Sequence, residues 1–281
     1  MTGGTGPYVA GAPVGPAGAG VPVEPALRAV RSSGRKILVT YVTGGLPGCG
    51  PDGWVEALAA MVDAGADLVE IGIPFSDPVM DGPTIQEASV RALAAGTTPA
   101  SILDAAGRLE VPVPLVAMTY YNVVCRAGHA RFARMLAGAG VRGAIVPDLP
   151  LEESGEWEAE AAAAGVETTL LAAPVTPDDR LAVICRRSHG FVYGVNLMGV
   201  TGERSSFAGS AGRLARRLKS QTDKPVVMGF GVSTPEQAVA AASEADGVVV
   251  AAALMRLLLA GAGAVAVGDA VGRMRQALER G

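Results

Sequence analysis

A chain of 281 residues is long enough for one large domain, and a closed barrel of eight strand–helix units needs about 250. With 49% apolar and 18% charged residues, below the usual charged share of about 25%, it favours a deep core with many buried strands over a solvated helical array. The net charge of −4 argues against general nucleic-acid or anionic-membrane binding, so any bound phosphate has to be held by local backbone geometry.

Residues 1–22 are Gly, Ala, Pro and Val with almost no charge, and are expected to form a disordered tail ahead of a single domain at 23–281. A short helix is predicted at Glu24–Arg31. After Gly34 the pattern alternates. Strands are predicted at Lys36–Thr43, Asp67–Ile73, Val113–Thr119, Gly143–Asp148, Thr168–Ala173, Gly190–Val195, Pro225–Phe230 and Asp246–Ala251. Helices are predicted near 52–64, 84–95, 99–109, 129–140, 152–164, 208–220, 235–243 and 253–278. Asp52, Thr84, Thr98-Pro99 and Thr234-Pro235 supply start signals. Strand, helix, strand without interruption implies a parallel sheet, and eight such units close into a (β/α)8 TIM barrel. An open doubly wound sheet is the structural rival, weakened because no GxGxxG follows the first strand.

The apolar run from Val248 to Val267 is interrupted by Arg256, so it reads as a buried strand and a core-packed helix, not a membrane span. Cys49, Cys125 and Cys185 are scattered and read as reduced thiols of a cytoplasmic protein. His129 and His189 lie outside metal-ligand spacing, so neither a metal site nor a Ser-His triad is expected.

One residue is out of place in its strand. Glu70 lies inside DLVEIGI, where burying a charge is costly unless it is paired or used. Period-two alternation puts Leu68, Glu70 and Gly72 on one face, and Gly72 is expected to leave a ligand room beside the carboxylate. Asp77 and Asp81 follow in a loop read as solvated, so the carboxyl pKa values should separate, the usual route to acid and base roles. Tyr120, Tyr121 and Asn122 end the third strand, Asp148 the fourth, and Tyr193 lies on the sixth. Glycine turns at Gly199–Gly202 and Gly229–Val232 suit backbone capture of a phosphate.

Five motifs together resemble the α subunit of tryptophan synthase: EIGIPFSDPVMDGPTIQ (Glu70–Gln86), MTYYN (Met118–Asn122), VPDLPLEES (Val146–Ser154), MGVTG (Met198–Gly202) and GFGVSTPEQ (Gly229–Gln237). The resemblance implies cleavage of indole-3-glycerol phosphate to indole and glyceraldehyde 3-phosphate, with no cofactor or metal. It assigns Glu70 as catalytic acid/base, Asp81 as acceptor of the indole N–H, and Tyr193 as the tyrosine beside them. Substrate- and phosphate-binding positions fall on Tyr41, Tyr120, Thr201, Gly202, Phe230, Gly231, Ala251 and Ala252. Pro74, Asp77 and Asn122 match the contact with a β subunit in an α2β2 assembly. Ala251-Ala252 replaces a Gly-Ser pair, Leu197 stands where arginine is frequent, and Val123-Val124 replaces a proline-containing turn. A stand-alone lyase supplying indole to a specialised pathway, or a weak barrel that activates a β partner, are the alternatives.

Overall fold

A computed structural model describes residues 20–48, 53–195 and 204–281, without the side chains of 204–208. The expected cap Asp52, the sixth-loop positions Leu197, Thr201 and Gly202, and most of the expected tail (1–19) lie outside the described residues.

In chain order the elements are α1 (Val23–Ser32), β1 (Ile37–Thr43), α2 (Gly53–Asp63), β2 (Leu68–Gly72), α3 (Pro83–Ala94), α4 (Pro99–Ala106), β3 (Leu115–Met118), α5 (Tyr121–Ala127), α6 (His129–Gly138) and β4 (Gly143–Ile145). There follow α7 (Gly155–Ala163), β5 (Glu167–Ala172), α8 (Asp178–Arg187), β6 (Val192–Val195), α9 (Arg204–Lys219), β7 (Val226–Gly229), α10 (Pro235–Ala242), β8 (Gly247–Val250), α11 (Ala252–Leu259) and α12 (Gly263–Arg280). The strands pair in sequence order, every pair parallel, and β8 closes on β1. This is the expected TIM barrel.

Strand alternation sorts the core into two layers. Val69 and Ile71 turn outward to pack with Leu38, Val42 and the helices. Leu68 turns inward with Val39, Val116, Ile145, Val227 and Val249. At the N-terminal end of the strands α1 plugs the ring with fully buried Val23 and Leu27. The Glu167 carboxylate accepts the N–H groups of Val23 and Glu24 at 2.6 and 2.9 Å, satisfying amides that open this helix. With α1 seated there, the described barrel is left to open toward the loops that follow the strands.

The strand expectations match in number and place; most ends are one or two residues shorter, β4 stops three residues before the expected Asp148, and β5 begins one residue earlier, at Glu167. Thr98 and Thr234 both form capping boxes, with Ser101 and Gln237. Helix α3, however, begins at Pro83 with Gly82 as its cap, not at Thr84. The long helix expected over 253–278 is two helices, parted where Gly261 adopts φ +77°. Helices α5 and α8 are additional. Among the described residues no helix is long and apolar enough to cross a membrane.

Candidate active site

Glu70 sits on the inner wall of β2, beside Tyr41 of β1 and Val116 of β3 in register, and is 1% exposed. Its Oε1 has no hydrogen-bond partner, and no ion pair among the described residues involves it. Burial alone pushes its pKa up to about 8. At neutral pH it is therefore mostly a carboxylic acid with a proton to give.

Tyr41 and Tyr193 are buried on the same inner wall. Each ring lies over a glycine. A Cβ on Gly72 would stand 1.8 Å from the Tyr41 hydroxyl, and one on Gly229 2.4 Å from the Tyr193 ring. The expectation that Gly72 leaves space for a ligand is thus corrected: the Tyr41 phenol takes that space. Thr43 donates to Tyr41 Oη at 3.3 Å. Burial, then the nearby carboxyls, push both phenol pKa values up, so both rings stay neutral.

Asp81 was expected in solvent. The structure leaves it half-buried, because the loop after β2 folds back onto the end of β3. Tyr120 holds this fold: its ring stacks on Phe75 at 5.2 Å, its oxygen accepts the Met80 N–H at 3.0 Å, and its hydroxyl donates to the Asp81 carboxylate. Burial raises the Asp81 pKa to about 6 against the pull of that hydrogen bond. Asp81 also acts electrostatically on Tyr41 and Tyr193, which places it over the same mouth as Glu70. Between about pH 6 and 8 the mouth therefore holds one ionised carboxylate and one protonated acid. Such a pair can accept a hydrogen bond from one ligand group and protonate another.

The described phosphate candidates lie at the same end. Phe230 is buried just past β7, and Gly231 turns at φ +69° with open space around its Cα. Ala251 is the N-cap of α11 and Ala252 its first residue, with no side-chain cap. The neighbouring N-terminus of α10 is already closed by the Thr234–Gln237 box, so of these two helix starts only α11 is without side-chain satisfaction.

The remaining candidates separate. Pro74 is buried, Asp77 and Asn122 are exposed, and Pro74 and Asn122 line an open groove of about 510 Å³ between the second loop and α4, α5 and α6. Asp77 accepts the Ser76 hydroxyl at 2.6 Å and lies outside that groove. Asp148 was read as the end of the fourth strand. It lies three residues past β4, exposed, and accepts the Tyr121 N–H at 2.8 Å, which makes it a brace for the loop after β3. His129 does open a helix, but it is half-buried, between the Tyr121 hydroxyl at 3.0 Å and Glu156 at 3.2 Å. Sequence reasoning noted Arg256 only as a charge inside an apolar run. Its hydrogen bond to Ser233, at the end of the turn after β7, had no local signal.

The family model described as tryptophan synthase alpha chain matches residues 27–272. The tryptophan synthase alpha chain of Halorhodospira halophila is 46% identical over 234 residues, covering 82% of this chain and 85% of that protein. A solved structure of tryptophan synthase from Mycobacterium tuberculosis superposes with a TM-score of 0.83 at 37% identity, over 93% of this chain and 100% of that one. The tryptophan synthase alpha subunit of Legionella pneumophila does so with a TM-score of 0.82 at 32% identity, over 92% and 98%.

Proposed function

The chain belongs to the tryptophan synthase alpha chain family, and from that premise we propose that residues 23–281 form a catalytic barrel cleaving indole-3-glycerol phosphate to indole and glyceraldehyde 3-phosphate. It is a carbon–carbon lyase of tryptophan biosynthesis. The observation that carries the reading is Glu70, a buried acid whose Oε1 has no partner, on the inner wall beside the two phenols, Tyr41 and Tyr193, on which Asp81 also acts.

Asp81 accepts the indole N–H and stabilises the positive charge that develops as C3 of the ring takes a proton from Glu70. The bond between C3 and the glycerol carbon then breaks, its electron pair restoring the aromatic ring. The hydroxyl on that glycerol carbon becomes the aldehyde and returns its proton to the Glu70 carboxylate, which leaves the enzyme as it began. Tyr41 and Tyr193, neutral and wedged into their glycine notches, wall off the acid from water. Positioned acid/base groups of this kind contribute roughly 10²–10⁴ in rate. Gly202, Gly231, Ala251 and Ala252 hold the phosphate through backbone N–H groups, Thr201 closes the mouth against Asp81, and Phe230 and Tyr120 bound the pocket.

We assign the face carrying Pro74, Asp77 and Asn122 to a β subunit, in an α2β2 assembly that receives the indole, and we place the chain in the cytoplasm. The test is indole release from indole-3-glycerol phosphate by the purified chain, with and without a β subunit. Release that rises when β is added supports both assignments. Release independent of β supports a stand-alone lyase, and no release in either case overturns the reading.

A further inference from the structure

We propose that Arg256 is a positioning residue for the phosphate end of the site, acting through Ser233 on the turn at Gly231. This rests on the reading of that end as a phosphate cradle. Arg256 lies on α11, four residues after Ala252, and its Nη2 donates to Ser233 Oγ at 3.0 Å. Ser233 Oγ in turn donates to the Gly231 carbonyl at 3.3 Å. A guanidinium on one helix thus fixes, through one hydroxyl, the carbonyl of a turn that follows a different strand.

The planarity of the peptide makes this an orienting device. With the Gly231 carbonyl drawn toward Ser233, the Val232 N–H of the same peptide plane must face the opposite way. The far flank of the turn is tied independently, since the Ser233 and Thr234 N–H groups both donate to Gln237 Oε1, at 2.8 and 3.3 Å. Those two amides are therefore spent. The amides left to an anion lie on the Gly231 side of the turn and at the start of α11, and Arg256 sets the spacing between the two. Because the cradle is built from backbone dipoles in a chain of net charge −4, its affinity depends on that alignment.

The test uses the full-length chain and two probes that share no chemistry, glycerol 3-phosphate and indole, with calorimetric titration of each. Arg256→Ala and Ser233→Ala should each weaken glycerol 3-phosphate about tenfold, the scale of one hydrogen bond to a charged group, and leave indole within twofold. Only one guanidinium nitrogen makes the contact, so Arg256→Lys should restore most of the loss. The double variant should bind no worse than the weaker single, since both act on one strut. In turnover, KM should rise while kcat stays within twofold. Equal weakening of both probes, additive losses in the double variant, or no change in any variant overturns the proposal. If the wild-type chain itself binds no glycerol 3-phosphate and releases no indole, the functional reading falls and this inference with it. If the wild type binds and turns over while the variants match it, only this inference falls.

Discussion

Replacing Glu70 by glutamine separates the acid's chemical role from its thermodynamic cost. Glutamine keeps the shape and cannot titrate. In the wild type the carboxyl holds its proton to about pH 8, against an ordinary value of 4.5 in the unfolded chain. The neutral acid's contribution to stability is therefore whole below pH 4.5 and is lost as the pH climbs toward 8. At about 1.4 kcal/mol per pH unit, the interval from 4.5 to 7 amounts to about 3 kcal/mol. Glu70→Gln has no such slope. Its melting temperature should equal that of the wild type near pH 4.5 and exceed it by about 6–12 °C at pH 7, at roughly 2–4 °C per kcal/mol for a domain of this size. Indole release by the same variant should fall roughly 10²–10⁴-fold. Thermal unfolding of both proteins at pH 4.5, 6, 7 and 8, followed by circular dichroism, reads the first effect, and a turnover assay the second. A constant gap in melting temperature across that range would show that Glu70 is not desolvated, and near-native turnover would remove it from the chemistry.

The pH profile of kcat/KM should be bell-shaped, rising as Asp81 ionises near pH 6 and falling as Glu70 loses its proton near pH 8. Asp81→Asn should erase the acid limb and cost about 10²-fold or more in kcat; an acid limb surviving in that variant would place the titration elsewhere. Ala252→Ser adds a hydroxyl at the start of α11 and should lower KM for indole-3-glycerol phosphate about tenfold, whereas an unchanged KM would mean that the amides suffice. Gly72→Ala drives a methyl into the Tyr41 hydroxyl, so it should lower stability by about 1–3 kcal/mol. An unchanged urea midpoint would show that Tyr41 is not seated there.

Parallel strands buried on both faces write themselves into sequence as short apolar runs, which is why all eight were legible here and why Glu70 stood out in its own. The helices were less even. Helix α8 reads DDRLAVICRR, and its buried stripe of Leu181, Ile184 and Cys185 is sparse in a charged background. Helix α5 starts directly after the Tyr120 motif and buries only Val124. In the alanine-rich stretch after β8 the apolar pattern runs on past Gly261 and Gly263, and the left-handed φ of both, +77°, marks the break. The misreadings at the site share one cause. Sequence shows that Gly72 lacks a side chain, but not that Tyr41, thirty-one positions earlier on the adjoining strand, fills the gap. It likewise shows Asp81 in a loop, but not that Tyr120 pulls this loop down.

The two demands on this mouth oppose each other, and the opposition explains how the residues are distributed. A dianionic phosphate is most simply gripped by lysine or arginine. Such a cation inside the ring would favour the ionised form of Glu70 and pull its pKa back toward the ordinary range, leaving no proton to give at neutral pH. Among the described residues desolvation is the one cause of the Glu70 shift, and none of their cations opposes it. In the proposed site the anion is met instead by dipoles, which act at short range: a positive-φ turn at Gly231 and the unstapled start of α11. The guanidinium that serves this end, Arg256, stands exposed on the outside and reaches the turn through a hydroxyl. In the proposed site, meeting the phosphate with backbone dipoles in place of a cation lets one mouth bind it and still keep its acid protonated.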